Sequence, residues 1–294
     1  MISTLLLEAA FAFAPRLPDP VLSSLARATS RIEFAFASTR RRAVESNLAQ
    51  IAGSGRLAAF GPRSLGGTAR AMFESYHRFV LEYLAQGSMD SRALDARFRF
   101  LGMELLYRAL GPGKGAVVSA PHVGNWELAG LALARLGFRV HVVTGVQFHA
   151  RVTGLARMLK ERERILVSTP DDGFRPLFQT LGRGGVVVLL TDGDVFARSI
   201  GTEFFGRRVP FPAGPAILAR RGRVRLLHAH AERRAPDRHI VSFDGVDSPE
   251  PTLSVEEDIR RLTRRVAEFQ ERAIAAHLDQ WCIFRPLFPE RDAA

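Results

Sequence analysis

Cysteine is nearly absent: Cys282 is the only one in 294 residues. That excludes an intramolecular disulfide and a thiolate metal cage. The residue lies between Trp281 and Ile283 in an apolar stretch, which reads as an inert, buried thiol. Lysine is almost as scarce, with only Lys114 and Lys160 among 41 Lys and Arg. No apolar run reaches the roughly 20 residues that a spanning helix needs. Residues 1–14 are apolar but short, carry Glu8, and lack the basic start of a secretion signal. They read equally as a short interfacial anchor or as an ordinary first helix.

Several motifs are missing too. GPGKG at 111–115 lacks the spacing of a phosphate loop and precedes a strand, so it reads as a turn. No Gly-x-Ser-x-Gly elbow and no His-Glu-x-x-His pair occur, and His141 and His149 have no metal-ligand spacing. No recognisable DNA- or RNA-binding module accompanies the positive charge, so no nucleic-acid partner is expected.

What is present is a globular composition, 47% hydrophobic and 24% charged, with a formal net charge of +11. Such a balance suits a polyanionic partner: nucleic acid, an anionic membrane surface, or an acidic protein or substrate. Residues 1–112 read as a mainly helical layer, with helical patterns at 20–52, 66–86 and 89–110. Arg40, Arg41 and Arg42 form a basic cluster there, either a solvated face or a contact for lipid phosphates.

From 113 to 294 strands and helices alternate. Strands are expected at 115–120, 138–144, 164–168, 185–191, 224–230 and 239–245. Helices are expected at about 124–136, 150–162, 173–182 and 213–222. This is the pattern of an α/β fold with a central mixed sheet flanked by helices. Ser254 and Glu257 form a capping box for a last helix reaching about 279. No repeat or linker divides the chain, so 1–294 reads as a single domain.

The segment VVSAPHVGNWELAG, 117–130, carries the chemistry. A buried strand ends at Ala120, Pro121 makes the exit, and His122 stands where α/β sheets bind ligands. Glu127 follows after four residues. Five positions apart on a continuous helix differ by about 140°, so the two meet only if His122 lies in the turn before the helix. A carboxylate on one ring nitrogen would then leave the other to accept a hydroxyl proton.

HVGNWE resembles the His-x-x-x-x-Asp/Glu motif of the glycerolipid acyltransferases. Its context resembles the late lipid A biosynthesis acyltransferases, a branch that includes phosphatidylinositol mannoside acyltransferases. RRRAVESNL at 40–48, TDGD at 191–194, EFFGRRVPFPAGPAILAR at 203–220 and QWCIF at 280–284 fit the same family in order, although Cys282-Ile283 replaces a more usual aromatic. The resemblance implies transfer of a fatty acyl chain from an acyl carrier protein or CoA thioester to a hydroxyl of a lipid A precursor or related glycolipid. It implies no cofactor beyond that co-substrate. It makes His122 the general base and Glu127 its partner, with Asp192 and Asp194 in supporting polar roles.

On the same basis Asn125, Phe204, Phe205 and Gly206 are candidates for the substrate site. Arg207 and Arg208 are candidates for binding a phosphate, and Gly214 for opening a helix toward an anion. Arg162 or Arg164 resembles a family arginine. The implied location is the cytoplasmic face of the bacterial inner membrane, peripheral or N-terminally anchored. Hydrolysis by water in the same site and a non-catalytic lipid-surface protein are the alternatives.

Overall fold

A computed structural model describes residues 13–55, 64–85, 96–111, 113–145, 157–158, 160–192 and 198–288. Among the described residues three α-helices precede the first strand: α1 (Asp19–Phe36), α2 (Ser38–Gly53) and α3 (Leu65–Ala85). The expected helix at 20–52 is therefore two, broken at Ala37, whose φ of −84° and ψ of 64° are not helical. The expected helix at 89–110 is corrected further. Its described part holds β1 (Phe98–Leu101) and a short α4 (Met103–Ala109). Phe98–Leu101 alternates half-buried and exposed, so it suits a sheet edge rather than a helix face.

The body continues with β2 (Ala116–Ala120), α5 (Trp126–Arg135), β3 (Val140–Val143), β4 (Leu166–Ser168), α6 (Arg175–Gly182) and β5 (Val186–Leu190). A hairpin of β6 (Ser199–Phe204) and β7 (Arg207–Pro212) follows, then α7 (Gly214–Gly222), β8 (Arg225–Ala235), β9 (Arg238–Asp247) and α8 (Val255–Ala276). The capping box forms as expected, each partner of Ser254 and Glu257 bonding the other's backbone N–H. The hairpin was not among the expected strands. The expected helix at 150–162 lies partly outside the described residues, as do residues 1–12 and 89–95. Among the described residues no helix is long and apolar enough to cross a membrane.

Seven strands form one mixed sheet, ordered β1-β9-β8-β2-β5-β3-β4. Every pair is parallel except β8 and β9. The centre, β2, is buried at all five positions, as its apolar run with a single, hydrogen-bonded serine permits. Side chains alternate between the two faces. Val117, Val187 and Leu226 join a cluster with Leu48, Phe73 and Val266, so α2, α3 and α8 cover one face. Val118, Val186 and Leu227 join Leu106, Leu128 and Leu131 beneath α4 and α5 on the other.

One feature of register positions the site. Ala120 of β2 lies opposite Leu190 of β5 in parallel pairing. Thr191 N–H donates to the Ala120 carbonyl at 3.2 Å just beyond. The residues two places past each strand, His122 and Asp192, therefore emerge side by side.

Candidate active site

His122 and Asp192 are locked together. Nδ1 of His122 lies 2.5 Å from Asp192 Oδ1, and the His122 backbone N–H donates to Oδ2 at 2.8 Å. The Trp281 indole N–H also donates to Oδ2, at 2.8 Å. Burial would raise the pKa of this carboxyl. The charge and hydrogen bonds of His122, with the Trp281 indole, outweigh burial and hold it below the ordinary value. A carboxylate on Nδ1 requires N–H there, which leaves the lone pair on Nε2. The imidazole is 20% exposed while Asp192 is sealed, so Nε2 is the face of the pair open to a substrate.

The turn bearing His122 is clamped from both sides. Gly124 has φ +66°, and a Cβ there would stand 2.4 Å from the Ala231 carbonyl oxygen. Only glycine fits so close to β8. From the closing segment, Cys282 N–H donates to the His122 carbonyl at 2.8 Å, and Gly124 N–H donates to the Gln280 carbonyl at 3.1 Å. Gln280 fixes that segment in turn, its side chain accepting from Arg233 N–H and donating to the Arg233 carbonyl. The QWCIF stretch thus serves the His122 turn and Asp192 directly. Cys282 itself takes no chemical part here; burial pushes its thiol up to about 12.

Glu127 does not hold the imidazole. It sits in the first turn of α5 and accepts from Lys160 Nζ at 2.9 Å. Its expected place at Nδ1 belongs to Asp192, which reaches His122 from the adjacent strand without bending the helix back. Asn125 is fully buried as the N-cap of α5, with Oδ1 accepting from Leu128 N–H and Nδ2 donating to Glu82 Oε2 at 2.7 Å. It shapes the turn rather than lining a surface. Beneath the pair, Ser119 and Thr191 bond each other at 2.9 Å, and Gln270 donates to both.

The remaining candidates lie elsewhere. Phe204 and Phe205 are core residues, packed on each other with ring centroids 4.8 Å apart and against Phe211 and Phe288. Gly206 turns the hairpin with φ +72°, next to Phe205 at +47°, the pair of positive angles a two-residue hairpin favours. Arg207 and Arg208 follow on β7, in register with Phe204 and Glu203. Gly214 begins α7 and is buried. Arg162 and Arg164 are exposed in the segment before β4. Asp194 lies outside the described residues.

What sequence reasoning did not pick out is an aromatic wall. Trp126 meets the His122 ring edge-on at 4.9 Å and stacks on Phe79 at 4.2 Å. Tyr83 and Tyr76 flank Phe79 on α3, and Phe284 packs on Tyr76 at 4.9 Å. All five are half-buried. The helical spacing of Tyr76, Phe79 and Tyr83 was the available signal.

An imidazole backed by a buried carboxylate, beside an apolar wall and at the carboxyl ends of central strands, has the geometry a transferase or hydrolase uses for general base chemistry. The family model of bacterial lipid A biosynthesis acyltransferases matches residues 3–290, and the chain belongs to that family; it is an acyltransferase. Among individual proteins it is similar to the phosphatidylinositol mannoside acyltransferases of Mycobacterium tuberculosis (strain CDC 1551 / Oshkosh), at 28% identity, and of Mycolicibacterium smegmatis, at 26%. These matches cover 74% of this chain and 68% and 71% of the respective relatives.

Proposed function

We propose that the protein moves a fatty acyl chain from an acyl carrier protein or CoA thioester to a hydroxyl of a polar glycolipid, with His122 as general base. The observation that carries this reading is the free Nε2 of an imidazole whose Nδ1 is held by buried Asp192, next to the aromatic wall. The acceptor hydroxyl gives its proton to Nε2 as its oxygen attacks the thioester carbonyl. The tetrahedral intermediate collapses, the C–S bond breaks, and the imidazolium returns the proton to the departing sulfur. The products are an ester and a free thiol. Asp192 stabilises the imidazolium between the two proton transfers. No acyl-enzyme forms, in keeping with the buried Cys282.

The wall formed by Trp126, Phe79 and Tyr83 suits an acyl chain. The names of the mycobacterial relatives favour a glycolipid headgroup as acceptor. A net charge of +11 suits an anionic membrane surface and an acidic carrier protein, and we place the protein at the cytoplasmic face of the membrane. The test is purified His122→Ala, assayed with thioester donor and a glycolipid acceptor. Transfer should fall by at least about a hundredfold with the circular dichroism spectrum unchanged. A variant that keeps full transfer would overturn the mechanism. Donor hydrolysis that ignores the acceptor would recast the enzyme as a thioesterase.

A further inference from the structure

Helix α1 has two apolar faces, and the body uses only one. Leu22, Ala26 and Ser30 are buried, with Leu22 packed against Leu84 and Ala85 of α3. Val21, Leu25, Ile32 and Phe36 remain outside: Val21 and Leu25 are each 39% exposed, Ile32 61% and Phe36 83%. At about 100° per residue these four project within roughly 60° of one another, in a stripe running the length of the helix. Scattered exposed leucines need no explanation, but an aligned stripe beside a satisfied core face does.

The charge around the stripe is of one sign. Arg27 and Arg31 lie exposed on one flank. Both carboxylates of α1 are turned away and neutralised. Asp19 is bound by Arg78 and Arg97, and Glu33 by Arg40 and His77. An apolar stripe with arginines and no free carboxylate complements the surface of an anionic bilayer: acyl boundary for the stripe, phosphates for the guanidiniums. The place is apt, since the opposite side of α1 rests on α3, the helix that carries the aromatic wall.

We infer that α1 is the docking face by which this chain lies on an anionic phospholipid bilayer. The inference deepens the lipid-acceptor reading above, and its test involves no turnover. The full chain is mixed with vesicles of phosphatidylglycerol and phosphatidylcholine, or of phosphatidylcholine alone, without donor or acceptor, and sedimented. Wild type should bind the anionic vesicles preferentially, and less so as salt rises. The double variant Ile32→Asp/Phe36→Asp changes only exposed positions, so its unfolding midpoint should match wild type. Its binding should weaken roughly tenfold or more. Arg27→Glu/Arg31→Glu should abolish the preference for phosphatidylglycerol.

Wild-type binding in the aspartate variant sinks the proposal, as does a wild-type chain that ignores anionic vesicles. So does light scattering that shows a dimer which the aspartate variant dissolves, because the stripe would then be covered by a second copy. Loss of acyl transfer in other assays would leave the docking result standing, and the reverse holds too.

Discussion

At the scale of single residues, the acid that matters most to His122 is the one two places beyond β5, not the one five places along the chain. Asp192 accepts from Nδ1, from the His122 backbone and from the Trp281 indole, and it is sealed from solvent. Removing its charge withdraws the support of the imidazolium and leaves a buried donor set poorly matched. Asp192→Asn should therefore reduce kcat by about a hundredfold or more. Trp281→Phe removes one hydrogen bond from Oδ2 and should fall between wild type and Asp192→Asn. Glu127→Gln, acting through Lys160 alone, should change kcat by roughly tenfold or less. Steady-state kinetics on the three variants settles the order. If Glu127→Gln proved as damaging as Asp192→Asn, the pairing in the structure would not be the working one.

His122 was legible from sequence because a strand end needs only local signals: a short, mostly apolar β-branched run, a proline, then a histidine. Its partner was legible only as a polar residue at another strand end. Choosing Asp192 over Glu127 requires knowing that β2 and β5 are neighbours in register, which no local pattern encodes. Glu82 and Gln280 act through contacts more than 40 residues away in the chain, and no spacing rule reaches that far.

At the scale of elements, the parallel strands were readable because buried β-branched runs between glycines have few other fates. The edge strand and the hairpin were not. FRFL is four residues with one polar position, Arg99, too short to show a period, and the hairpin hides its turn in Phe205-Gly206, where a buried aromatic adopts a positive φ. Phe205 is held there by its N–H to the Glu271 carboxylate and by Gln50 Nε2 on its carbonyl at 3.2 Å. Two glycines separate a conformational demand from a spatial one. At Gly206 a Cβ would meet nothing closer than 3.8 Å, so Gly206→Ala should destabilise by only about 1 kcal/mol, the left-handed penalty alone. At Gly124 the same angle is joined by a collision with β8, so Gly124→Ala should lose about 3 kcal/mol and displace the His122 turn. Chemical denaturation checks both values. The activity assay should show Gly206→Ala near wild type and Gly124→Ala strongly impaired; equal behaviour of the two would refute the steric argument.

At the scale of the whole molecule, one buried ionic network ties the helical layer to the sheet. Glu82 of α3 is bound by Arg78 of its own helix, by Arg233 of β8 through two bonds of 3.0 Å, and by Asn125 beside the His122 turn. Arg78 continues to Asp19 and the Pro236 carbonyl. Burial opposes the charge on Glu82, but Arg233, His239 when protonated, and Arg78 together overcome it and bring the pKa down to about 2. Next to it His239 of β9 stacks on Phe98 at 4.9 Å, and among the described residues neither of its ring nitrogens finds a hydrogen-bond partner. Burial first, then the neighbouring arginines against the pull of Glu82, lower its pKa to about 4. Such a histidine is neutral in the native state above about 4 and takes up a proton in the unfolded chain below the ordinary histidine value of 6.5. Between 6.5 and about 4 the unfolded state therefore binds more protons, and each step down in pH favours unfolding. His239 alone should withdraw about 3 kcal/mol across that window. Buried His141 is shifted the same way and adds to the slope. Glu82 acts later: its stabilisation is complete above 4.5 and is lost as pH falls toward about 2. Replacing His239 by Phe keeps the stack on Phe98 and removes the titration. Urea unfolding from pH 7 to 4 should show a shallower decline in His239→Phe than in wild type, by about 3 kcal/mol over the range. Parallel declines would mean that acid opens the molecule elsewhere, and that this junction between the helical layer and the sheet is not its weak point.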